Sequence, residues 1–134
     1  MSSSAAIHIV SPSEFDSGTA QTSGSERLAA IAPTLGIPSA IWGGLFEAEP
    51  GARTGVHHHG KQETIAYVLS GICEIRWGAN GKSVAHAKAG DFIHVPAFLL
   101  HMEINPSKSE PFRWVVVRST ATPIVVNLPD ETWP

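Results

Sequence analysis

Three consecutive histidines, His57-His58-His59, are followed by Gly60-Lys61-Gln62-Glu63, and a further histidine, His101, closes the run Gly90 to His101. Borderline divalent metals are held by imidazole nitrogen and carboxylate oxygen arriving from several directions. Side chains of a strand alternate between its two faces. A strand over Val56 to His59 therefore puts His57 and His59 on one face and His58 on the other. Two imidazoles on one face, a carboxylate just past a turn and a distant third imidazole describe a pocket for one divalent ion, with iron, manganese, nickel or zinc as the choices. Iron would suit oxygen activation. Manganese, nickel or zinc would suit Lewis-acid polarisation of a carbonyl or enediol. The chain offers no Ser–His–Asp, Cys–His or paired-carboxylate set at a recognisable spacing, so a metal would carry the chemistry. The single cysteine, Cys73, excludes an internal disulfide and reads as a small buried strand residue.

The elements that must position these residues are mostly strands. From Ala40 onward, short apolar or alternating runs are bounded by Gly, Pro and Asn: 41–47, 53–59, 63–69, 72–77, 83–87, 92–95, 101–104, 112–118 and 124–128. Such spacing argues a β-sandwich or barrel. Gly78-Ala79-Asn80-Gly81 is the clearest hairpin turn, because Asn-Gly tolerates positive φ. Upstream, Ile7 to Val10 reads as a short edge strand and Ser17 to Gly24 as a loop. Ser25 to Ala32 is expected to make two helical turns before Pro33 stops them. The organisation expected is one domain: 1–39 as tail, edge strand and short helix, 40–118 as the barrel core, and 119–134 as a C-terminal strand and tail.

Composition limits the partners. The 134 residues suit one domain with a real core, and 16% charged residues with a net charge of -3 give an ordinary globular balance. No basic run or face points to nucleic acid, and no segment approaches membrane-span length. Met1-Ser2-Ser3-Ser4-Ala5-Ala6 lacks the positive start and long apolar stretch of a secretory signal, so a cytoplasmic protein is expected.

Two motifs carry a family resemblance. Gly51 is followed by five residues, His57-His58-His59, three residues and Glu63, with Gly71 closing the motif. Gly90, Pro96, His101 and Asn105 reproduce a second motif in full spacing, with Phe98 in place of its internal glycine. Over roughly Ala40 to Arg118 the chain resembles a single-domain cupin, which implies an all-β, double-stranded β-helix or jelly-roll barrel. The resemblance implies that His57, His59, Glu63 and His101 hold the metal and that His57, His59 and His101 are the catalytic set. It also implies a homodimer that pairs through the outer face of one sheet, often exchanging terminal strands; 7–10 and 124–128 would be the segments to pair.

The first motif departs from the family by one residue. Seven residues separate Glu63 from Gly71 where the family has six, so counting back from Gly71 reaches Thr64. Alternation from Val68 sends Thr64 and Gln62 inward and Glu63 outward, whereas counting forward from His59 selects Glu63. A bulge or a residue absorbed at Gly60-Lys61 would reconcile the two. Glu63 is preferred because carboxylate binds divalent metal better than an amide, with Gln62 the alternative fourth ligand. Tyr67, Phe98 and Met102 are expected to line the substrate pocket, with Leu45, Val68 and Leu99 adding apolar wall. Any of Arg53, Arg76 or Arg113 facing inward would anchor a carboxylate. The function expected is that of a metal-dependent enzyme on a small organic molecule, first an oxygenase of dioxygenase type. An isomerase or lyase, or a non-catalytic module that holds a small molecule on metal, are the alternatives.

Overall fold

Period-two burial writes the longer strands of the first sheet into a half-buried layer. In Trp42-Gly43-Gly44-Leu45-Phe46-Glu47-Ala48 every second residue is buried, and the same holds for Phe112, Trp114, Val116 and Arg118. The computed structural model describes residues 5–129 and 132–134. Its strands are β1 (Glu26–Ile31), β2 (Trp42–Ala48), β3 (His57–His58), β4 (Thr64–Ser70), β5 (Ile72–Trp77), β6 (Ser83–Lys88), β7 (Phe92–Val95), β8 (His101–Ile104), β9 (Phe112–Arg118) and β10 (Val126–Asn127). They form two five-stranded sheets, in the orders β1-β2-β9-β4-β7 and β10-β3-β8-β5-β6. Every described pairing of these strands is antiparallel. This is the all-β double-stranded β-helix the sequence implied.

The space between the sheets is filled unequally. Phe46, Phe112 and Trp114 pack ring to ring, with centroids 5.1 to 5.7 Å apart. Along β9 the inward set runs Phe112, Trp114, Val116, Arg118, and the paired β4 runs Val68, Ala66, Thr64. The filling thus changes from apolar to polar toward the Arg118–Thr64 end.

Several expectations are corrected. Residues 26–31 form an edge strand on β2, not a helix; Arg27 and Ala29 alternate inward, and Leu28 pairs with Leu45. Two turns of isolated helix are marginal, whereas a free sheet edge supplies a full ladder. The N-terminal helical pieces are single 3-10 turns, Pro12–Glu14 and Pro33–Leu35. Ile7 to Val10 is not a strand, and Ile7 and Ile9 are 93% and 86% exposed. The C-terminal strand shrinks to Val126–Asn127 and pairs with β3 of the same chain. The expected hairpin turn is present, with Asn80 at φ 55° and Gly81 at φ 65°. Gly81 is doubly constrained, since a Cβ there would meet the Trp133 ring at 2.6 Å. No helix among the described residues is long and apolar enough to cross a membrane. Met1 to Ser4, the start of the leader considered above, lie outside the described residues.

Candidate metal centre

β3 and β8 lie side by side with His57 opposite His101, and His59 follows β3 by one step on the same face. All three rings are buried, and their centroids are 4.4 to 5.2 Å apart. One ligand atom from each lies within 4.8 Å of the other two. The Nδ1 of each ring is engaged by a backbone carbonyl: Gly55 for His57 at 2.9 Å, Ile124 for His59 at 2.9 Å and Leu99 for His101 at 2.8 Å. An Nδ1–H donated to a carbonyl leaves the Nε2 lone pair free, which is the arrangement that orients metal-bound histidines. His57 Nε2 is buried without a hydrogen-bond partner. A buried orphan of this kind calls for an explanation, and a metal ion supplies one.

Electrostatics keep the rings available as ligands. Burial, with Arg118 and the neighbouring rings adding to it, pushes His59 down to about 2. Burial also lowers His101 to about 4, against the opposing pull of Glu103. Both are neutral near pH 7, as metal ligation requires.

A carboxylate does stand at the cluster, and it is that of Glu103, whereas Glu63 lies on the surface beside His94. Glu103 follows His101 by two residues on β8, so it shares the inward face and is 4% exposed. Its Oε2 is 3.4 Å from His57 Nε2 and its Oε1 3.7 Å from His101 Nε2. Thr54 donates its hydroxyl to Oε2 and accepts the Glu103 N–H at 3.0 Å. Burial works to raise this carboxyl, but His57, His101 and the Arg27 guanidinium hold it well below the usual carboxylate range.

Two arginines face inward beside it. Arg118 donates to the Thr64 hydroxyl, and its Nε has no partner. Burial, and then Arg27, lower it to about 9, so it stays charged at neutral pH. Arg118 lines a cavity of about 20 Å3 with His59, His101, Glu103, Phe46 and Trp114. Arg27 lies over the Phe46 ring, 5.0 Å from its centroid, and donates to Thr22. A larger cavity of about 300 Å3, walled by Ile75, Trp77, Ile93 and Leu99, shares His101 with the first.

The remaining expected site residues are elsewhere. Glu63 is exposed, with its Oε1 2.9 Å from His94 Nε2. Gln62 is fully buried, but its amide is spent: Nε2 donates to the carbonyls of Thr120 and Thr122 and to the Thr120 hydroxyl, and Oε1 accepts the Ile124 N–H at 2.7 Å. The Gln62 N–H bonds the His59 carbonyl across the Gly60-Lys61 turn, with Gly60 at φ 56°, and the register irregularity in this stretch falls further on, as a bulge between Val68 and Ser70 of β4. Alternation into β4 then turns Glu63 out. Tyr67 lies on the outer face against Phe92, with ring centroids 5.0 Å apart. Met102 alternates to the face opposite His101. Phe98 is 63% exposed at φ 60°, its N–H bonded to Gly60 O at 2.7 Å. None of the three lines the two cavities described above. Of the expected apolar wall, Leu99 is in place, while Val68 belongs to the core. Arg76 and Arg113 pair outward with Glu74 and Glu47. Glu103 and Arg118 were missed, although the same period-two reading that selected His57 and His59 also reaches both.

The cupin domain model matches residues 44–118, more than half of the chain, and the chain belongs to the cupin family. No curated protein matches it. Among solved structures it is similar to a variant of oxalate decarboxylase from Bacillus subtilis, with TM-score 0.69 and 23% identity over 81% of this chain. The chain spans only 29% of that protein. It is similar along 93% of its length to the whole of an uncharacterised double-stranded β-helix protein from Klebsiella pneumoniae, with TM-score 0.68 and 22% identity. An oxalate oxidase in complex with the substrate analogue glycolate gives TM-score 0.68 and 20% identity, covering 84% of this chain and 60% of that one. At these identities the likeness shows the fold.

Proposed function

We propose that the protein is a metal-dependent enzyme acting on a small organic acid, with molecular oxygen as co-substrate in a dioxygenase-type reaction. The observation that carries this reading is the set of three buried imidazoles with free Nε2 atoms beside the partnerless Nε of Arg118. His57, His59 and His101 would hold one divalent ion. Bound there, the ion would supply Lewis acidity and, as iron or manganese, redox chemistry. Arg118 would fix a substrate carboxylate through its planar fork of donors. The apolar wall around Ile75, Trp77 and Leu99 would exclude water and leave room for a few heavy atoms, not a polymer. Two structural neighbours bear names of oxalate-acting enzymes, which supports a small acid as the substrate class.

Oxygen uptake by iron-, manganese-, nickel- and zinc-loaded protein, measured against small carbonyl acids and catechol-like compounds, tests the reading. Uptake with iron or manganese and an acid is expected, with KM raised in Arg118→Lys. Substrate conversion without oxygen uptake would favour the isomerase or lyase reading. Metal-dependent binding without conversion would favour a binding module.

We also propose that the working form is a homodimer packed through the outer face of the first sheet. Leu28, Leu45, Val115, Tyr67 and Phe92 are cross-strand partners and form one apolar row over all five strands. Phe92 is 75% exposed. Light scattering is expected to give twice the chain mass, and Tyr67→Glu to halve it. A monomer at micromolar concentration would end the proposal.

A further inference from the structure

We infer that Glu103, and neither Glu63 nor Gln62, is the carboxylate ligand of the metal, so that the protein's donor set is His57, His59, His101 and Glu103. This rests on the three-histidine metal site proposed above and specifies it. Two donors each about 2.1 Å from one ion stand roughly 3.4 Å apart at a tetrahedral angle and roughly 3.0 Å apart at a right angle. The Glu103 oxygens lie 3.4 Å from His57 Nε2 and 3.7 Å from His101 Nε2. That separation is long for a hydrogen bond and close to the spacing of ligands that share an ion. The two oxygens are split between the two rings, so the carboxylate faces the space the rings enclose. Thr54 braces one oxygen as well as the Glu103 N–H, as outer partners of metal-bound carboxylates do.

The other acidic or amide candidates are committed elsewhere. Glu63 is on the outer surface with His94, and both ends of the Gln62 amide are used in tying down 120–124. The register of β4 sets Thr64 opposite Arg118 on the inward face and so leaves Glu63, the first motif's acid, out of the barrel. A second-motif acid takes the position from the other side, His101-x-Glu103 on one strand in place of a residue on the turn after β3. Arg27 and Arg118 would pair with the same carboxylate if its role were only to balance charge. However, no hydrogen bond joins either guanidinium to Glu103, and three of their buried nitrogens, Arg27 Nε and Nη2 and Arg118 Nε, remain without partners.

The test measures metal affinity by chelator competition with zinc and cobalt(II), together with the visible absorption of the cobalt(II) form. Wild-type protein is compared with Glu103→Gln, Glu103→Asp, Glu63→Ala and His101→Ala. Glu103→Gln should weaken binding by roughly a hundredfold or more and change the cobalt spectrum, since loss even of an outer partner costs ten- to a hundredfold. Glu103→Asp should recover part of the affinity, and Glu63→Ala should match wild type within about twofold. Affinity and spectrum unchanged in a folded Glu103→Gln protein would overturn the assignment while leaving the three-histidine site standing. Failure of wild type to bind any metal would overturn the site itself. Should Glu103→Gln not fold, a zinc-loaded structure of the wild type decides: a Glu103 oxygen about 2.0–2.2 Å from the ion is expected, and a carboxylate turned away from it refutes the inference.

Discussion

Replacing Gln62 by Glu separates a metal ligand from a structural cross-link more sharply than any deletion. If position 62 ligated the ion, a carboxylate there would bind it better than the amide does. The structure assigns the amide a different task. Its Nε2 donates to the carbonyls of Thr120 and Thr122, and a carboxylate has no hydrogen to give them. Gln62→Glu therefore loses two hydrogen bonds worth about 0.5–1.5 kcal/mol each. It also sets an acceptor-only group against two carbonyl oxygens at a fully buried position. The acceptor function toward the Ile124 N–H survives, so the loss should stop at about 3 kcal/mol, with the group taking up a proton to escape its charge. A domain of this kind has about 5–15 kcal/mol in hand, so the variant should remain folded with a visibly lower urea midpoint. Ile124 O also accepts from His59 Nδ1, so loosening of 120–124 should weaken zinc binding modestly, never strengthen it. Urea unfolding of the metal-free protein and zinc affinity are the two readouts. Unchanged stability together with tighter zinc binding would refute the reasoning.

Phe98→Gly should stabilise the protein by about 0.5–1 kcal/mol in urea unfolding: a left-handed φ costs a bulky residue about 1–2 kcal/mol, against about 0.5–1 kcal/mol for the greater freedom of unfolded glycine. A loss of stability would show that the exposed ring holds the 96–101 loop in place. Glu63→Ala should change stability by less than about 0.5 kcal/mol, because its contact with His94 is solvent-exposed on both sides; a drop in zinc affinity of tenfold or more would contradict its outward placement. Metal-free protein should lose stability as pH falls below about 6.5, because His59 and His101 stay neutral in the fold down to about 2 and about 4 while the unfolded chain takes up their protons first. The slope should reach up to about 1.4 kcal/mol per pH unit for each ring, and a flat urea midpoint between pH 6.5 and 5 would show that the rings are protonated in the folded state.

The histidine face was legible because alternation is local: once Val56 to His59 is extended, His57 and His59 must share a side whatever the rest of the chain does. His101 was legible through spacing in the second motif. Which carboxylate stands at the cluster was not, because counting from His59 and counting back from Gly71 disagree by one residue, and chemical preference for a carboxylate stands against an alternation argument that points Glu63 outward. The strand pairing of β4 with β9 fixes Thr64 opposite Arg118, and only that register settles the matter. Residues 26–31 were misread for a related reason. Their helix preference is a weak prior, and the partner that makes them a strand, β2, is about fifteen residues away in sequence. Arg118 ends a strand whose other inward residues are apolar, and an apolar run hides the one charged member that makes its end chemically useful.

The most direct test of the metal centre is calorimetric titration of metal-free protein, prepared without an affinity tag, with zinc and manganese(II). The account predicts one ion per chain in wild-type protein, with affinity lost in His57→Ala, His59→Ala and His101→Ala alike while each variant keeps a cooperative urea transition. A barrel held by the ten described strands does not depend on the ion to fold, as a zinc finger does. Binding that is absent from wild type, or that persists unchanged when His101 is removed, would contradict it.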